Sequence, residues 1–479
     1  MCHKRDPLAR TGLRDAEGAN GTYEIHNCES RMAVKTLERG LAELDLDEVS
    51  AARWFAGKDR AATAVELVDA LEVPGSDGGC LVLVDLTHAD GEIERYLLPL
   101  RNDPSGALVE TPPGDRLWPA LARAISSGAP LPGAAGSFTT TAGLLADAGP
   151  LEPARALSND QSNTSVVLGE RVVAKCYRRP KRGIHPEPEI LVGLSHVRSK
   201  WAPGFGGALV HHAAGEEATL ACVYAFVPGT PVGWEELIVR LRDLIAADSN
   251  RELEELAVEM GELGAAAAGL HVDLASAFGI ETASETVALA TLVAAQERLD
   301  VARAVAASGF ATFLGARIDV TRSALANLDR LAGAPVIRCH GDLHVGQFIA
   351  SPTGPMVIDF EGEPGRPVHE RRQFGSPLRD LACLLLSFDH AAAAAARRLS
   401  FGPALDAAFA WSAHARAHAE TAYCAGIANA DLIFDPLLLR AFEVEKECHE
   451  MIYASTVLPE WSYAPELTFG RLLDGLARA

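Results

Sequence analysis

The residues with types and spacing suited to chemistry lie between positions 340 and 361. In His340-Gly-Asp-Leu-His-Val-Gly-Gln347 an aspartate follows a glycine turn, and an amide comes five residues later. Asp359 stands twelve residues beyond Gln347, behind the apolar run 355–358. Phosphoryl transfer needs an acceptor hydroxyl held in line with a γ-phosphate, and cations to offset the charge that develops. One carboxylate on a tight loop can take the hydroxyl proton. A side-chain carbonyl on the same loop and a carboxylate after the next strand can hold Mg²⁺, which prefers hard oxygen ligands. Any one of these residues reads equally well as a turn or surface group. Together, with His340 and His344 flanking the loop, they point to ATP-dependent transfer of phosphate to an alcohol.

The nucleotide side follows the same logic. Lys175 ends the apolar run Val172-Val-Ala-Lys175, where a cation can meet the α- and β-phosphates. A glutamate from the next helix has to hold such a lysine. His185-Pro-Glu-Pro-Glu189, followed by Ile190–Leu194, offers Glu187 and Glu189. There is no G-x-x-x-x-G-K-[ST], so a Walker-type loop is excluded. Gln161, Ser162, Asn163 and Thr164 take its place, as polar side chains and backbone N–H groups that can cover phosphates. The segment from Tyr224 through Phe226 to Val227 is the expected hinge, pairing with adenine through its backbone.

These stretches resemble the aminoglycoside-phosphotransferase and protein-kinase-like superfamily. More narrowly, Cys339–Gln347, Ile358-Asp-Phe-Glu-Gly-Glu363 and Glu370–Ala382 resemble actinobacterial maltokinases, as do Arg53-Trp-Phe-Ala-Gly-Lys58, Gln161–Ser165 and Phe442-Glu-Val-Glu-Lys446. The resemblance covers most of the chain from about residue 40. It implies an α+β, bilobal protein-kinase-like fold with an extra N-terminal cap, ATP and Mg²⁺ as cofactors, and a small sugar as acceptor, with maltose giving maltose 1-phosphate. It also implies Asp342 as catalytic base, Gln347 and Asp359 as metal ligands with Glu361 beside them, and Glu189 ahead of Glu187 as the partner of Lys175. The ending Leu458-Pro-Glu-Trp-Ser-Tyr-Ala-Pro465 is closer to the related glucosamine kinases, which carry Asp-Phe-Asp-Gly-Asn where this chain has Asp-Phe-Glu-Gly-Glu. Glucosamine or an aminoglycoside is therefore the alternative acceptor. A pseudokinase scaffold for a trehalose- or glycogen-pathway enzyme is the non-enzymatic reading, and the joint presence of Lys175, Asp342, Gln347 and Asp359 weighs against it.

A sugar pocket needs carboxylates, amides and a stacking aromatic. Glu443 and Glu447 share one helical face, and Lys446 and Glu450 share another. Tyr453, Trp461 and Tyr463 follow and are expected to wall the pocket, with His344 and Arg379 completing the acceptor set. A solvated charged helix face is the plain alternative for the glutamates. Arg379-Asp380 opens a helix, where Asp380 either caps it or braces the catalytic loop by accepting backbone N–H groups. His271, in a long Ala/Leu helix, reads as a core or loop-bracing histidine.

These residues need a scaffold. A chain of 479 residues implies about two to four domains. The apolar and charged fractions of 48% and 22% are ordinary for a globular protein. A net charge of −21 disfavours nucleic acid or an anionic membrane as partner while permitting a local ATP pocket. The nine cysteines show no C-x-x-C pair and read as reduced thiols in a cytoplasmic monomer or dimer. The expected organisation is a disordered extension over 1–31, a cap over 32–150 and a nucleotide-binding lobe over 151–230. A helical lobe over 231–479 carries the catalytic loop. Strands are expected at 64–71, 80–86, 93–100, 165–168, 172–177 and 220–226, and helices at 253–274, 286–307, 311–331, 378–427 and 436–456. The Pro/Gly/Ala-rich stretch 126–150 reads as a linker or the end of the cap.

Overall fold

The computed structural model of the chain describes residues 37–52, 54–55, 60–143, 149–157, 162–363 and 365–478. The expected extension over 1–31 and the candidate Gln161 lie outside the described residues. Between 62 and 110 the sequence supplies period-two runs broken by Gly/Asp turns. These fold as a meander, β1 (Ala62–Glu72), β2 (Cys80–His88), β3 (Ile93–Asn102) and β4 (Leu108–Glu110), with each strand antiparallel to the next. Successive side chains of a strand point to opposite faces. Val82, Val84 and Leu86 accordingly pack with Trp54 and Phe55, whereas Leu81 and Leu83 pack with Trp118 and Leu121. The latter two lie on α1 (Leu117–Ser126), whose apolar stripe is buried.

The second sheet has seven strands: β5 (Leu131–Pro132), β6 (Ser137–Ala142), β7 (Ala154–Ala156), β8 (Thr164–Leu168), β9 (Val172–Cys176), β10 (Phe205–Ala213) and β11 (Glu216–Ala225). Their order is β5-β6-β10-β11-β9-β8-β7. The stretch read as a linker thus carries β5 and β6, and β6 pairs with β10 from Gly207–Ala142 to His212–Ser137. Thr139–Thr141 supply β-branched side chains there, a signal outweighed in the sequence by the surrounding Gly and Pro. Against this sheet lies α2 (Pro186–His196), which begins with proline at its first turn and is capped by His185 Nδ1 accepting from the Glu187 N–H at 3.3 Å.

The remainder is mostly helical, with two small three-stranded sheets of short strands, and the expected bilobal α+β arrangement is present. The longest helices include α3 (Asn250–Phe278), α4 (Pro377–Arg398), α5 (Pro403–Ile427) and α6 (Pro436–Thr456). The helical region expected over 378–427 consists of two helices, α4 and α5, separated by positive φ at Ser400, Phe401 and Gly402. The expected helix over 311–331 is likewise two short helices, Ser308–Ala316 and Ile318–Ala326, followed by a 3₁₀ turn. Its break falls at Arg317, whose guanidinium reaches Asp474 at 2.8 Å and covers the Phe313 ring at 3.7 Å. That tertiary contact overrides local helix preference.

Helices α3 and α5 cross at very short range. A Cβ added to Gly264 would sit 2.2 Å from the carbonyl oxygen of Ala419. Two turns further along, His271 of α3 meets Tyr423 of α5, with Nδ1 2.9 Å from the phenol oxygen. Gly264→Ala should therefore destabilise the protein by about 1–3 kcal/mol through forced separation of the two helices. A melting temperature equal to wild type would show that the crossing is slack.

Candidate active site

Burying a lysine ammonium is expensive unless carboxylates surround it. Lys175 lies near the end of β9 with its side chain only 7% exposed, and its Nζ lies 2.9 Å from Glu187, 2.7 Å from Asp359 and 2.7 Å from Glu361. Glu187 comes from the first turn of α2, while the other two come from the segment after the strand Gly354–Val357. The lysine's partner is thus Glu187. Glu189, favoured by resemblance, points the other way and takes Arg338 at 2.7 Å and Arg372 at 2.7 Å. The reason is helical geometry: residues two apart lie on different faces, so only one of the pair can face the sheet.

One ammonium facing three carboxylates leaves surplus negative charge. Burial would raise Asp359, but Lys175 pulls it below the ordinary carboxylate range. Glu361 moves the opposite way, because burial, with Asp359 and Glu187 close by, outweighs the pull of Lys175. Carboxylate oxygens of Glu187, Asp359 and Glu361 all lie within 4.8 Å of one another. Such a set of hard, anionic oxygens fits a divalent cation such as Mg²⁺. Asp359 is held with φ +66°, a left-handed conformation uncommon outside glycine and concentrated at functional sites.

The catalytic loop is braced from behind. Asp380, in the first turn of α4, accepts from the backbone N–H groups of His340 at 2.7 Å and Gly341 at 2.9 Å. It also meets His271 Nε2 at 3.2 Å. Burial would raise this carboxyl, yet the His271 and backbone hydrogen bonds hold it below its usual range. His340 Nδ1 accepts from the Asp342 N–H at 3.3 Å, so its Nε2–H is free to donate to the Ile358 carbonyl at 3.0 Å. The same imidazole thereby ties the loop to the residue before Asp359. Gly341, at φ +90°, lies where an added Cβ would come within 3.2 Å of the Gly362 backbone. Gln347 is buried, and its backbone carbonyl accepts from Ile358 N–H at 2.9 Å.

Asp342 opens toward α6. Lys446 Nζ is 3.5 Å from its Oδ1, and Cys383 Sγ is 3.9 Å from the same oxygen. Its Oδ2 faces His344 Nε2 at 3.9 Å, and His344 lies against the Trp234 ring. Lys446 also pairs with the half-buried Glu450 at 2.9 Å, and that ammonium holds the Glu450 carboxyl down at about 2 against the effect of burial. Arg379 bridges Glu363 at 3.1 Å and Glu445 at 3.4 Å. Glu363 also meets Arg366 and His449, and it sits at about 2 because the Arg379 and Arg366 guanidiniums overcome its burial.

Several candidates for the acceptor set are placed elsewhere. Glu443 is fully buried between Arg416 and Arg440, so it has no face to offer a ligand. Tyr453 is 44% exposed and lies on the Lys446–Glu450 stripe, about 10 Å along the helix from Lys446. Trp461 stacks on Tyr463 at 6.0 Å, and the carbonyl beside it at Glu460 takes Arg397. Arg397 stands about 21 Å along α4 from Cys383, which puts Trp461 at the far end of the helix rather than at the catalytic loop.

The covering hairpin and hinge occupy the other flank. Asn163 donates to Glu361 at 2.6 Å and accepts from the Arg178 backbone N–H at 3.2 Å. Thr164 accepts from Arg178 Nε at 2.7 Å, while Ser162 is exposed. In the hinge, Tyr224 is buried in the core. The N–H groups of Ala225 and Phe226 are taken by the carbonyls of Gly204 and Arg171, both at 2.8 Å. Val227 N–H makes no hydrogen bond among the described residues. Glu363, Arg178 and His185 were not singled out by their sequence. Their only signal was position, next to a quoted motif or beside a candidate glutamate.

The fold and this arrangement are those of a phosphotransferase. Residues 153–423 match the phosphotransferase enzyme family (APH), and residues 49–109 match the maltokinase N-terminal cap domain. The chain belongs to that phosphotransferase family and is an ATP-dependent kinase. A glucosamine kinase of Streptacidiphilus jiangxiensis is 31% identical over 398 residues, 81% of this chain and 89% of that protein. One from Mycolicibacterium smegmatis is 29% identical over 67% of this chain and 79% of its own length. A solved glucosamine kinase in complex with glucosamine, ADP and inorganic phosphate has a TM-score of 0.70 and 27% identity, covering 91% of this chain and 99% of that one. No helix among the described residues is long and apolar enough to cross a membrane.

The two glutamates of α2 should separate in kinetics. Glu187→Gln should raise KM for ATP about tenfold with little change in melting temperature. Glu189→Gln, which strands buried Arg338, should lower the melting temperature by several degrees and leave KM for ATP within about twofold. The reverse pattern would return the lysine's partner to Glu189.

Proposed function

We propose that the protein transfers the γ-phosphate of ATP directly to a hydroxyl of a small sugar, with an amino sugar of the glucosamine class as the preferred acceptor. The observation that carries the reaction is the facing pair of groups. Lys175 is clustered with three carboxylates on one side, and Asp342 lies on a rigidly braced loop on the other.

In this reading Asp342 Oδ1 stays with Lys446, and Oδ2 accepts the proton of the acceptor hydroxyl as the oxygen attacks the γ-phosphorus in line. The ADP oxygen leaves, and no phospho-enzyme forms. Lys175 holds the α- and β-phosphates, oriented by Glu187. Asn163 and Thr164 cover the phosphates, and Val227 N–H with the Ala225 carbonyl reads the adenine edge. Asp359 and Gln347 would hold Mg²⁺ with Glu361 beside them, and when bound the ion offsets the charge on the transferring phosphoryl group.

The likeness to glucosamine kinases, 31% over 81% of the chain in one case, supports the amino-sugar acceptor. Glu450, partly exposed and paired with the same Lys446 ammonium that reaches Asp342, gives an acidic edge for an ammonium or for sugar hydroxyls. Maltose is the second reading, favoured by the match of residues 49–109 to the maltokinase cap and by Asp359-Phe-Glu-Gly-Glu363.

ADP release should be measured with glucosamine, maltose, glucose and kanamycin. Glucosamine should give the highest kcat/KM. Higher turnover of maltose would establish the second reading, and no turnover of any would revive the scaffold reading. With the best acceptor, Asp342→Asn should lower kcat by about three orders of magnitude or more while MgATP still binds. Near-wild-type activity of that variant would remove Asp342 as the base.

A further inference from the structure

Arg178 belongs to neither the catalytic loop nor the metal-binding carboxylates, yet it is among the most completely buried charged side chains in the protein, at 1% exposure. Its groups divide between two units. Toward the nucleotide lobe, Nε donates to Thr164 Oγ1 at 2.7 Å and its backbone N–H donates to Asn163 Oδ1 at 3.2 Å. Toward the four-stranded sheet, Nη2 pairs with Glu110 of β4, Nη1 donates to the Leu97 carbonyl of β3 at 3.4 Å, and the Arg178 carbonyl accepts from Leu97 N–H at 2.9 Å. The Trp54 ring closes over the guanidinium at 4.7 Å. Asn163 carries the connection onward by donating to Glu361, itself 2.7 Å from Lys175.

A guanidinium excluded from water is tolerable only where its N–H groups are met. Here neither unit meets them alone. The sheet satisfies Nη1 and Nη2, and the hairpin satisfies Nε. Displacing either unit leaves a buried donor unpaired, so the positions of the sheet and of the phosphate-covering hairpin are linked energetically. Linkage of this kind is reciprocal: whatever orders the hairpin also strengthens docking of the sheet.

Building on the kinase reading above, we propose that Arg178 is a positioning residue through which the N-terminal sheet, by way of Glu110 and Trp54, sets the hairpin that covers the ATP phosphates. The cap is then a nucleotide-side element and has no direct part in acceptor choice.

Glu110 offers the cleanest test, because it is half exposed and touches neither nucleotide nor acceptor. Glu110→Ala should weaken MgATP binding, measured by titration calorimetry, about fivefold, and leave KM for the sugar at saturating ATP within about twofold. Arg178→Lys keeps the charge but cannot reach Glu110, Leu97 and Thr164 together. It should weaken MgATP binding about tenfold, and adding Glu110→Ala to it should change binding by less than about twofold. In wild type, MgATP should slow amide exchange across 93–110, and this protection should vanish in Glu110→Ala. Unchanged MgATP affinity in Glu110→Ala, or an equal rise in both nucleotide and sugar constants, would overturn the coupling. Full additivity in the double variant would also overturn it. Should Arg178→Lys fail to fold, the Glu110→Ala affinity and exchange data decide alone. Wild-type protein that binds no MgATP would instead remove the kinase reading, and the proposal with it.

Discussion

The ammonium of Lys175 lies within hydrogen-bonding distance of carboxylates from α2 and from the segment after the strand Gly354–Val357, and so joins the sheet lobe to the helical lobe at one point. Much of the remaining architecture keeps that meeting in place. α2 must present Glu187 to the sheet, and its opposite face is anchored by Glu189 on Arg338 and Arg372. Arg338 ends the strand that leads directly into the loop carrying Asp342, so one turn of helix sets both the surroundings of Lys175 and the entry to that loop. The surplus of carboxylates around a single cation is electrostatically poor for an isolated protein. It is well suited to a site that takes up a divalent ion together with a polyphosphate.

The opposing half of the site depends on a second buried carboxylate. Asp380 offers both oxygens to backbone N–H groups of the catalytic loop and is itself steadied by His271, which leans on Tyr423. That relay runs through three helices and works only because α3 and α5 approach closely at Gly264. Small residues far from the chemistry thus control how precisely Asp342 is presented. Groups on rigid elements, supported by a further layer of hydrogen bonds, act with less reorganisation than groups on free loops.

The acceptor side is organised differently. Glu363, Glu445 and Glu450 alternate with Arg379, Arg366 and Lys446, so that few charges there lack a counter-ion. A balanced polar wall of this type can exchange its internal pairs for sugar hydroxyls or an amine. On the proposed function, the reaction type is set by a few groups near Asp342 and Lys175, while the choice of sugar is spread over many.

The reaction was legible in the sequence because phosphoryl transfer needs few groups at fixed spacing. His340–Gln347 and Asp359 lie close enough along the chain for a loop and a hairpin to bring them together. Strands β1–β3, β8 and β9 were legible for a similar reason, since period two with Gly turns is a local signal. Gln347, Asp359 and Lys175 could be named by type, but whether Glu187 or Glu189 faced the lysine depended on the rotation of α2 against the sheet. Glu443 and Trp461 looked like sugar ligands by composition, yet one is locked between two arginines and the other stacks at the distant end of α4. Arg178 gave no sequence signal beyond its place shortly after Lys175, because its importance comes from being shared between two units far apart in the chain. What the sequence determined by itself was the chemistry, carried by local spacing. Which side chains face that chemistry, and what holds the cap to the phosphate hairpin, only the tertiary structure decided, since long-range packing alone fixes which face of each element is buried.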